Sequence, residues 1–446
     1  MIRRALVLAL LAGGATAYAD TGNPDSVPSI STSAPGISPE GAIAPISIVE
    51  GPGVKVGEGT VLHPIFGFET GYVSNVFYTA NNPTGAGILR LIAQIGAGSL
   101  TPQRLAASND PETDNHENSG VLQYRADLRA TYDIYLSGKD SVGSQDGLGI
   151  GALFRGIVNP KHTWSFLYLE DFQRLIRSTN FESSAQTNRD INHLQLGLQY
   201  APVDHNVSGL LHFEDVVDVF EASNQQFANR NQNSAGLTVS WRVRPVTVLY
   251  VDGTMGLYSG LGADSKKVTS YPLLAQVGVQ TLLSLNTTVV AHVGYTNGFY
   301  SAGPSFSAIV GGVQVGYRYA NTGRITALYD YSHQDSINAN YFRDHEIAMV
   351  LEQQFTPAFV LSLQPELRFR EYQGVQQIVM APTNTRDDVI LAVSAGIRYN
   401  FRDWFAAVLQ YRLSSVQTDF RYMVNGVTDD PSYVRHEIVA GVRAAL

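Results

Sequence analysis

The chain has 446 residues, of which 44% are hydrophobic and 15% charged, with a net charge of −9, no cysteine, and 23 tyrosines against 5 methionines. That charged fraction is well below the roughly 25% of soluble domains. The acidic balance speaks against a nucleic-acid partner, and the lack of cysteine excludes a disulfide scaffold, a thiolate metal site and a lipidated N-terminal cysteine.

The N-terminus has the pattern of a secretory signal. Arg3 and Arg4 precede an apolar run from Ala5 to Ala12, small residues follow, and Ala17-Tyr18-Ala19 stands before Asp20. Basic, apolar, then A-x-A is the order of a cleavable leader, so residues 1–19 are expected to be removed. A membrane anchor would need about 20 apolar residues, and Gly13 and Gly14 end the run sooner. Residues 20–60 form a Pro-, Ser- and Gly-rich linker punctuated by Pro24, Pro28, Pro35, Pro39, Pro45 and Pro52. Such a stretch cannot bury enough apolar surface to offset its ordering entropy, so a disordered periplasmic tail is expected.

From residue 61 to 446 the dominant signal has period two. No run after the leader is long and apolar enough for a spanning helix, so a membrane chain of this composition must close a barrel to satisfy its backbone hydrogen bonds. Strands are expected at Leu62–Tyr72 and Ile88–Ala97. In the second, Leu89, Leu91, Ala93 and Ile95 oppose Arg90 and Gln94, and a short amphipathic helix is the alternative. Along Val121–Leu136, Gln123, Arg125, Asp127, Arg129, Thr131 and Asp133 share one face, while Tyr124, Ala126, Leu128, Ala130, Tyr132 and Ile134 share the other. Successive strand side chains point to opposite faces, so one side is charged and the other apolar. Ala358–Arg370 repeats the pattern, with Glu366, Arg368 and Arg370 against Leu361, Leu363, Leu367 and Phe369. Pro365 breaks it and predicts a bulge or a local opening.

A soluble sandwich also alternates, so length and spacing must decide. These segments run to about ten or fifteen residues, beyond the five or six of a soluble strand and enough for a tilted crossing. Their links alternate. Short ones fall near Asn159–Lys161, Pro202–His205, Arg244–Pro245, Ser284–Asn286, Ala320–Gly323, Phe355–Ala358 and Asn400–Asp403. Long ones fall near Ile176–Asn188, Phe220–Asn231, Tyr258–Val268, Gly298–Ser307, His333–Tyr341, Tyr372–Thr385 and Asp419–Tyr433. Short periplasmic turns opposite longer outer loops are the outer-membrane pattern. Tyr200, Trp241, Tyr319, Phe355 and Tyr399 stand just before short turns, and Trp404 and Phe405 follow one, which predicts an aromatic girdle at that end. The expected fold is all-β, a transmembrane antiparallel up-and-down barrel of eighteen strands, with sixteen as the alternative count. The last strand alternates through Val434, Ile438, Ala440, Val442 and Ala444 to Leu446, where an aromatic is usual in outer-membrane barrels.

Charge on the lipid face costs about 2–4 kcal/mol per basic residue at the midplane, so the charged faces are expected to point inward. The candidate lumen-lining residues are Arg125, Asp127, Arg129, Asp133, Glu214, Asp218, Glu346, Glu352, Glu366, Arg368, Arg370, Arg398, Arg412, Arg435 and Arg443. They offer donors and acceptors to a polar solute, or they pair into ladders that stiffen the wall; both roles are compatible. Some tyrosines could instead stack on sugar rings. No catalytic, cofactor or metal site is expected. His333 with Asp335 falls on an expected outer loop, His345 lies on the face opposite Asp344 and Glu346, and Asp429 and Asp430 have the character of a solvated loop.

The segment Phe66-Gly-Phe-Glu-Thr-Gly-Tyr-Val-Ser-Asn-Val-Phe77, through Gly71, Tyr72, Ser74, Asn75, Val76 and Phe77, resembles the opening strand of the β-barrel porin-2 family. The resemblance implies an outer-membrane component of exopolysaccharide secretion, similar to myxobacterial export barrels, and brings no catalytic residues. The expectation is therefore an outer-membrane pore, first for a secreted polysaccharide handed over by a periplasmic export component. A general diffusion porin or small-solute channel, and a soluble secreted adhesin or structural module, are the alternatives. The sequence does not set the oligomeric state.

Overall fold

The computed structural model describes residues 53–56, 60–99, 121–160, 162–176, 188–202, 205–320, 322–336, 339–375, 385–424 and 427–446. The expected leader and nearly all of the proline-rich linker lie outside the described residues. Eighteen strands form one closed antiparallel barrel. They are β1 (Thr60–Val73), β2 (Ala86–Gly98), β3 (Leu122–Leu136), β4 (Gly147–Val158), β5 (Trp164–Leu175) and β6 (Arg189–Tyr200). There follow β7 (Val207–Phe220), β8 (Arg230–Arg244), β9 (Thr247–Gly260), β10 (Leu273–Ser284), β11 (Thr287–Asn297) and β12 (Ser307–Ala320). The wall is completed by β13 (Gly323–Asp335), β14 (Tyr341–Thr356), β15 (Phe359–Gln373), β16 (Thr385–Arg402), β17 (Phe405–Thr418) and β18 (Tyr433–Ala445).

Each strand pairs with its sequence neighbours, and β18 returns to β1 from Ile65↔Ala445 to Val73↔Glu437, so the barrel has no free edge. The segment around Ile88 is a strand, β2, in continuous register with β1 and β3. Strand lengths run from 11 residues in β11 to 18 in β16, long enough to cross a bilayer at a tilt. No helix among the described residues is long and apolar enough to do so.

The outside is greasy. Phe66, Phe68, Leu91, Leu128, Tyr132, Leu211, Leu237, Val251, Val277, Val293, Ile309, Ile347, Phe369 and Val442 are all exposed, while their chain neighbours turn inward. Lipid is the only solvent that tolerates such a belt on a closed wall, so this is an outer-membrane barrel. Links of two residues at 245–246, 285–286, 321–322, 357–358 and 403–404 mark one end, and most of the longer ones lie at the other. Trp164, Trp241, Tyr319, Phe355, Tyr399, Phe401 and Trp404 are exposed at the short-turn end, with Trp164 against Tyr200 at 4.8 Å between ring centroids.

One expectation is corrected, and one, at Pro365, is resolved between its two alternatives. The link placed at His333–Tyr341 is only 336–340, because β13 continues in register with β14 as far as Asp335↔Tyr341; His333 is therefore on a strand. Pro365 makes no bulge. Ala348↔Glu366 and Leu351↔Leu363 share one register, but the two pairs between them are missing, since a proline nitrogen carries no hydrogen to donate. On its other side Pro365 stays paired opposite Val393. The result is a local opening without a register change.

Candidate functional site: the inner wall and the mouth

Alternation sends every second residue of each strand inward, and there the charges find partners along the hydrogen-bonding direction. Glu69 on β1, 1% exposed, lies between Arg443 of β18 at 2.5 Å and Arg90 of β2 at 3.7 Å. Arg90 also reaches Asp133 of β3 at 2.7 Å and Glu437 of β18 at 3.3 Å, and Arg435 closes the row on Glu437 at 2.7 Å. A second network crosses β14 to β16. Arg370 holds Asp344 through two hydrogen bonds of 2.8 Å and stacks 3.8 Å from the Phe342 ring centroid. Arg368 contacts Glu366 at 2.5 Å, Glu346 at 3.5 Å and Asp344 at 3.7 Å, while Arg386 binds Asp388. Towards the short-turn end Arg125 meets Asp127 at 2.5 Å, and Arg324 meets Glu352.

Of the candidate residues, then, Asp133, Arg435 and Arg443 come together in the first network, and Glu346, Glu366, Arg368 and Arg370 in the second. Arg125 and Asp127 form a local pair. Asp218 lies between Arg189 and Arg230, at 3.2 Å from each, and Glu214 contacts His193 at 2.5 Å. Glu352 joins Arg324. Arg398 is buried on β16, and Arg129 and Arg412 lie on the inward-facing registers of β3 and β17. The sequence reading missed Glu69, Arg90, Asp344, Asp388 and Glu437 as members. Their parity along each strand is the same signal that marked the others. Strand pairing, which sequence does not print, decides who meets whom.

Two further pairs depend on glycine. His292 of β11 and Asp330 of β13 approach to 3.4 Å across the intervening β12, and the residue between them in register is Gly312. A Cβ there would sit 2.5 Å from Asp330 Oδ1 and 2.8 Å from His292 Cε1. His212 of β7 reaches Asp252 of β9 at 3.6 Å with its ring over Gly236 of β8, where a Cβ would sit 2.5 Å from His212 Nε2 and 2.5 Å from Thr254 Oγ1. A side chain at either glycine would separate the partners.

At the long-loop end, segments fold into the barrel. Val76 of the 74–85 link and Val142 of the helical turn Asp140–Gly143 pack on Val73, Ala86, Ile88, Tyr135 and Val439. Tyr78 sets its ring against Tyr433, with centroids 5.1 Å apart, and beneath the Arg435 guanidinium. Asn75 fixes this link by donating to the carbonyls of Thr79 and Val434. Across the mouth, Asp335 at the end of β13 receives Arg230 at 3.2 Å, Lys267 at 3.0 Å, Gln232 at 3.2 Å and the Tyr300 hydroxyl at 3.3 Å. Burial, and then the Asp335 charge, push the Tyr300 hydroxyl well above its ordinary pKa, so it stays a donor.

The residues weighed for chemistry do not converge. His333 packs at a tilt against Phe306 and edge-on against Tyr331, while His345 shares a hydrogen bond with the Tyr329 hydroxyl on the face opposite Asp344. Asp430 pairs with Arg421 at 2.9 Å. No group of three or more His, Asp or Glu residues among those described is placed to hold a metal ion.

No family model matches the chain, and no curated relative does. Among solved structures, the chain is similar to OccK1 (OpdK) of Pseudomonas aeruginosa, with 9% identity, coverage of 86% of this chain and 99% of that one, and a TM-score of 0.45. It is similar to OccAB3 of Acinetobacter baumannii, with 13% identity, coverage of 86% and 99%, and a TM-score of 0.42. The siderophore receptor PirA of Pseudomonas aeruginosa is similar at 7% identity, with coverage of 86% and 80% and a TM-score of 0.39. The barrel's own geometry carries the assignment to the outer membrane.

Proposed function

We propose that this barrel is a passive outer-membrane channel for small polar solutes, with the fifteen charged residues above lining a wetted path. One observation carries the reading: an inner wall of charged and hydrogen-bonding side chains enclosed by an apolar outer surface. An aqueous path needs polar side chains, and a barrel of this strand number is wide enough for such a path. Outer-membrane lipid is the surrounding medium, the expected N-terminal tail would lie in the periplasm, and the path needs no cofactor or catalytic step.

A second reading, a conduit for an exopolysaccharide supplied by a periplasmic export component, rests on the likeness of Gly71 to Phe77 to the porin-2 opening strand. The segments folded into the mouth favour small solutes over a polymer. The mature protein, reconstituted in liposomes, should admit small sugars at a rate that falls with sugar size. A deletion strain should keep normal surface polysaccharide. Impermeable liposomes would remove the channel reading, and loss of surface polymer in the deletion strain would restore the export reading.

A further inference from the structure

The mouth is not equally high all round. The upper ends of β11 and β12 stop at one level, with Asn297 and Ser307 opposite one another, whereas β9 runs to Gly260 and residues 270–272 carry the register of β10 along it as far as Tyr258↔Ser270. β13 also continues, but no ladder pair joins its Ser332–Asp335 to Ser307–Val310 of β12. Freed from β12, the end of β13 is close enough to β8, five places away in the sheet order, for Asp335 to bond Arg230 and Gln232.

The link 261–272 spans this low stretch. At one end Leu261 N–H donates to the Asn229 carbonyl and Lys266 N–H to the Phe227 carbonyl, both at 2.9 Å. At the other, Ser301 N–H donates to the Thr269 carbonyl at 2.9 Å, tying in the neighbouring 298–306 link. Between these anchors the Lys267 side chain is 1% exposed, and its Nζ reaches Asp335 at 3.0 Å, the Ala339 carbonyl at 3.1 Å and the carbonyls of Ser336 and Asn340. An ammonium has three protons to donate, and here they point at one carboxylate and a cluster of carbonyls. A lysine in an ordinary surface loop keeps its charge in water. This one is withdrawn across the mouth and fastened.

We propose that residues 261–272 form a strap that sets the upper size limit of the pore, and that Lys267 is the residue that pins it. The inference rests on the channel reading above. Backbone hydrogen bonds tie the two ends of the strap, and Lys267 draws its middle across the mouth, so removing that side chain loosens the middle and leaves the barrel wall untouched. Lys267 is a positioning residue: it determines what passes by where it holds the strap.

The test compares wild type, Lys267→Met, Lys267→Arg, and a chain in which residues 262–269 are replaced by a short Gly-Ser turn. Each is reconstituted in planar bilayers and in liposomes, with heat-dependent gel migration as the check that the barrel has formed. Unit conductance should rise at least twofold in Lys267→Met and in the shortened chain, and both should admit larger sugars than wild type. Lys267→Arg should keep the wild-type limit, since it retains a charge for Asp335. A conducting wild type whose limit is unchanged in both the Met variant and the shortened chain overturns the strap. A wild type and variants that all fold and all fail to conduct overturn the channel reading instead. If Lys267→Met does not fold, the shortened chain alone decides.

Discussion

Glu69 shows what single residues do inside this wall. It accepts from Arg443 and lies near Arg90, and all three are nearly withdrawn from solvent. Breaking a buried pair strands the remaining charge, at a cost of about 3–5 kcal/mol. Glu69→Ala should fall near the low end, about 3 kcal/mol, because Arg90 keeps Asp133 and Glu437. The measurement is the temperature at which the compact form on a detergent gel converts to the extended one, and an unchanged temperature would show that the network contributes nothing. The glycines make a sharper contrast. Gly312→Val should destabilise the barrel by about 1–3 kcal/mol by parting His292 from Asp330. Gly253→Ala, with nothing within 4 Å of the new Cβ, should be neutral by the same measurement.

At the scale of the strand, β15 has a weak point that local chemistry explains. Replacing Pro365 with valine supplies the missing donor opposite Met349 and should restore two ladder pairs. Each regained hydrogen bond is worth about 0.5–1.5 kcal/mol. Hydrogen exchange should show new protection at residues 349 and 365; continued rapid exchange there would mean that something besides proline keeps the strands apart. The aromatic girdle belongs to the same scale. All three tryptophans of the chain, Trp164, Trp241 and Trp404, are exposed at the short-turn end of the barrel. Their fluorescence should therefore be quenched by lipids labelled near the headgroup and spared by lipids labelled near the acyl terminus. Stronger quenching from the deep label would misplace the whole belt.

For the whole molecule, closure is the property on which the others depend. β18 pairs with β17 on one side and β1 on the other, so deleting residues 433–446 would expose two strand edges in lipid, where unpaired backbone groups cost several kcal/mol each. No compact heat-modifiable form should survive that deletion, and its survival would show that the ends do not need to meet. The same closure makes the mouth consequential, because everything that crosses must pass the segments folded into it. Charge pairs such as Arg230 with Asp335 are remote in sequence yet adjacent in space, and they exist only once the cylinder has formed.

The sequence alone determined the wall. Period-two alternation along Val121–Leu136 and Ala358–Arg370, the alternating short and long links, and the tyrosines and tryptophans beside the short ones are all local features. They are fixed by the geometry of an extended chain and the thickness of a bilayer. The strand at Ile88 was legible in the same way, in Leu89, Leu91, Ala93 and Ile95 alternating with Arg90 and Gln94. Tertiary structure decided the contents of the cylinder. Nothing in the local pattern around Lys267 distinguishes it from a solvated loop lysine, and His333 was assigned to a loop because no sequence signal marks how far β13 extends. Which charges pair, and which loops fold inward, depends on strand register and on contacts between residues far apart in the chain. Neither exists until the strands have assembled.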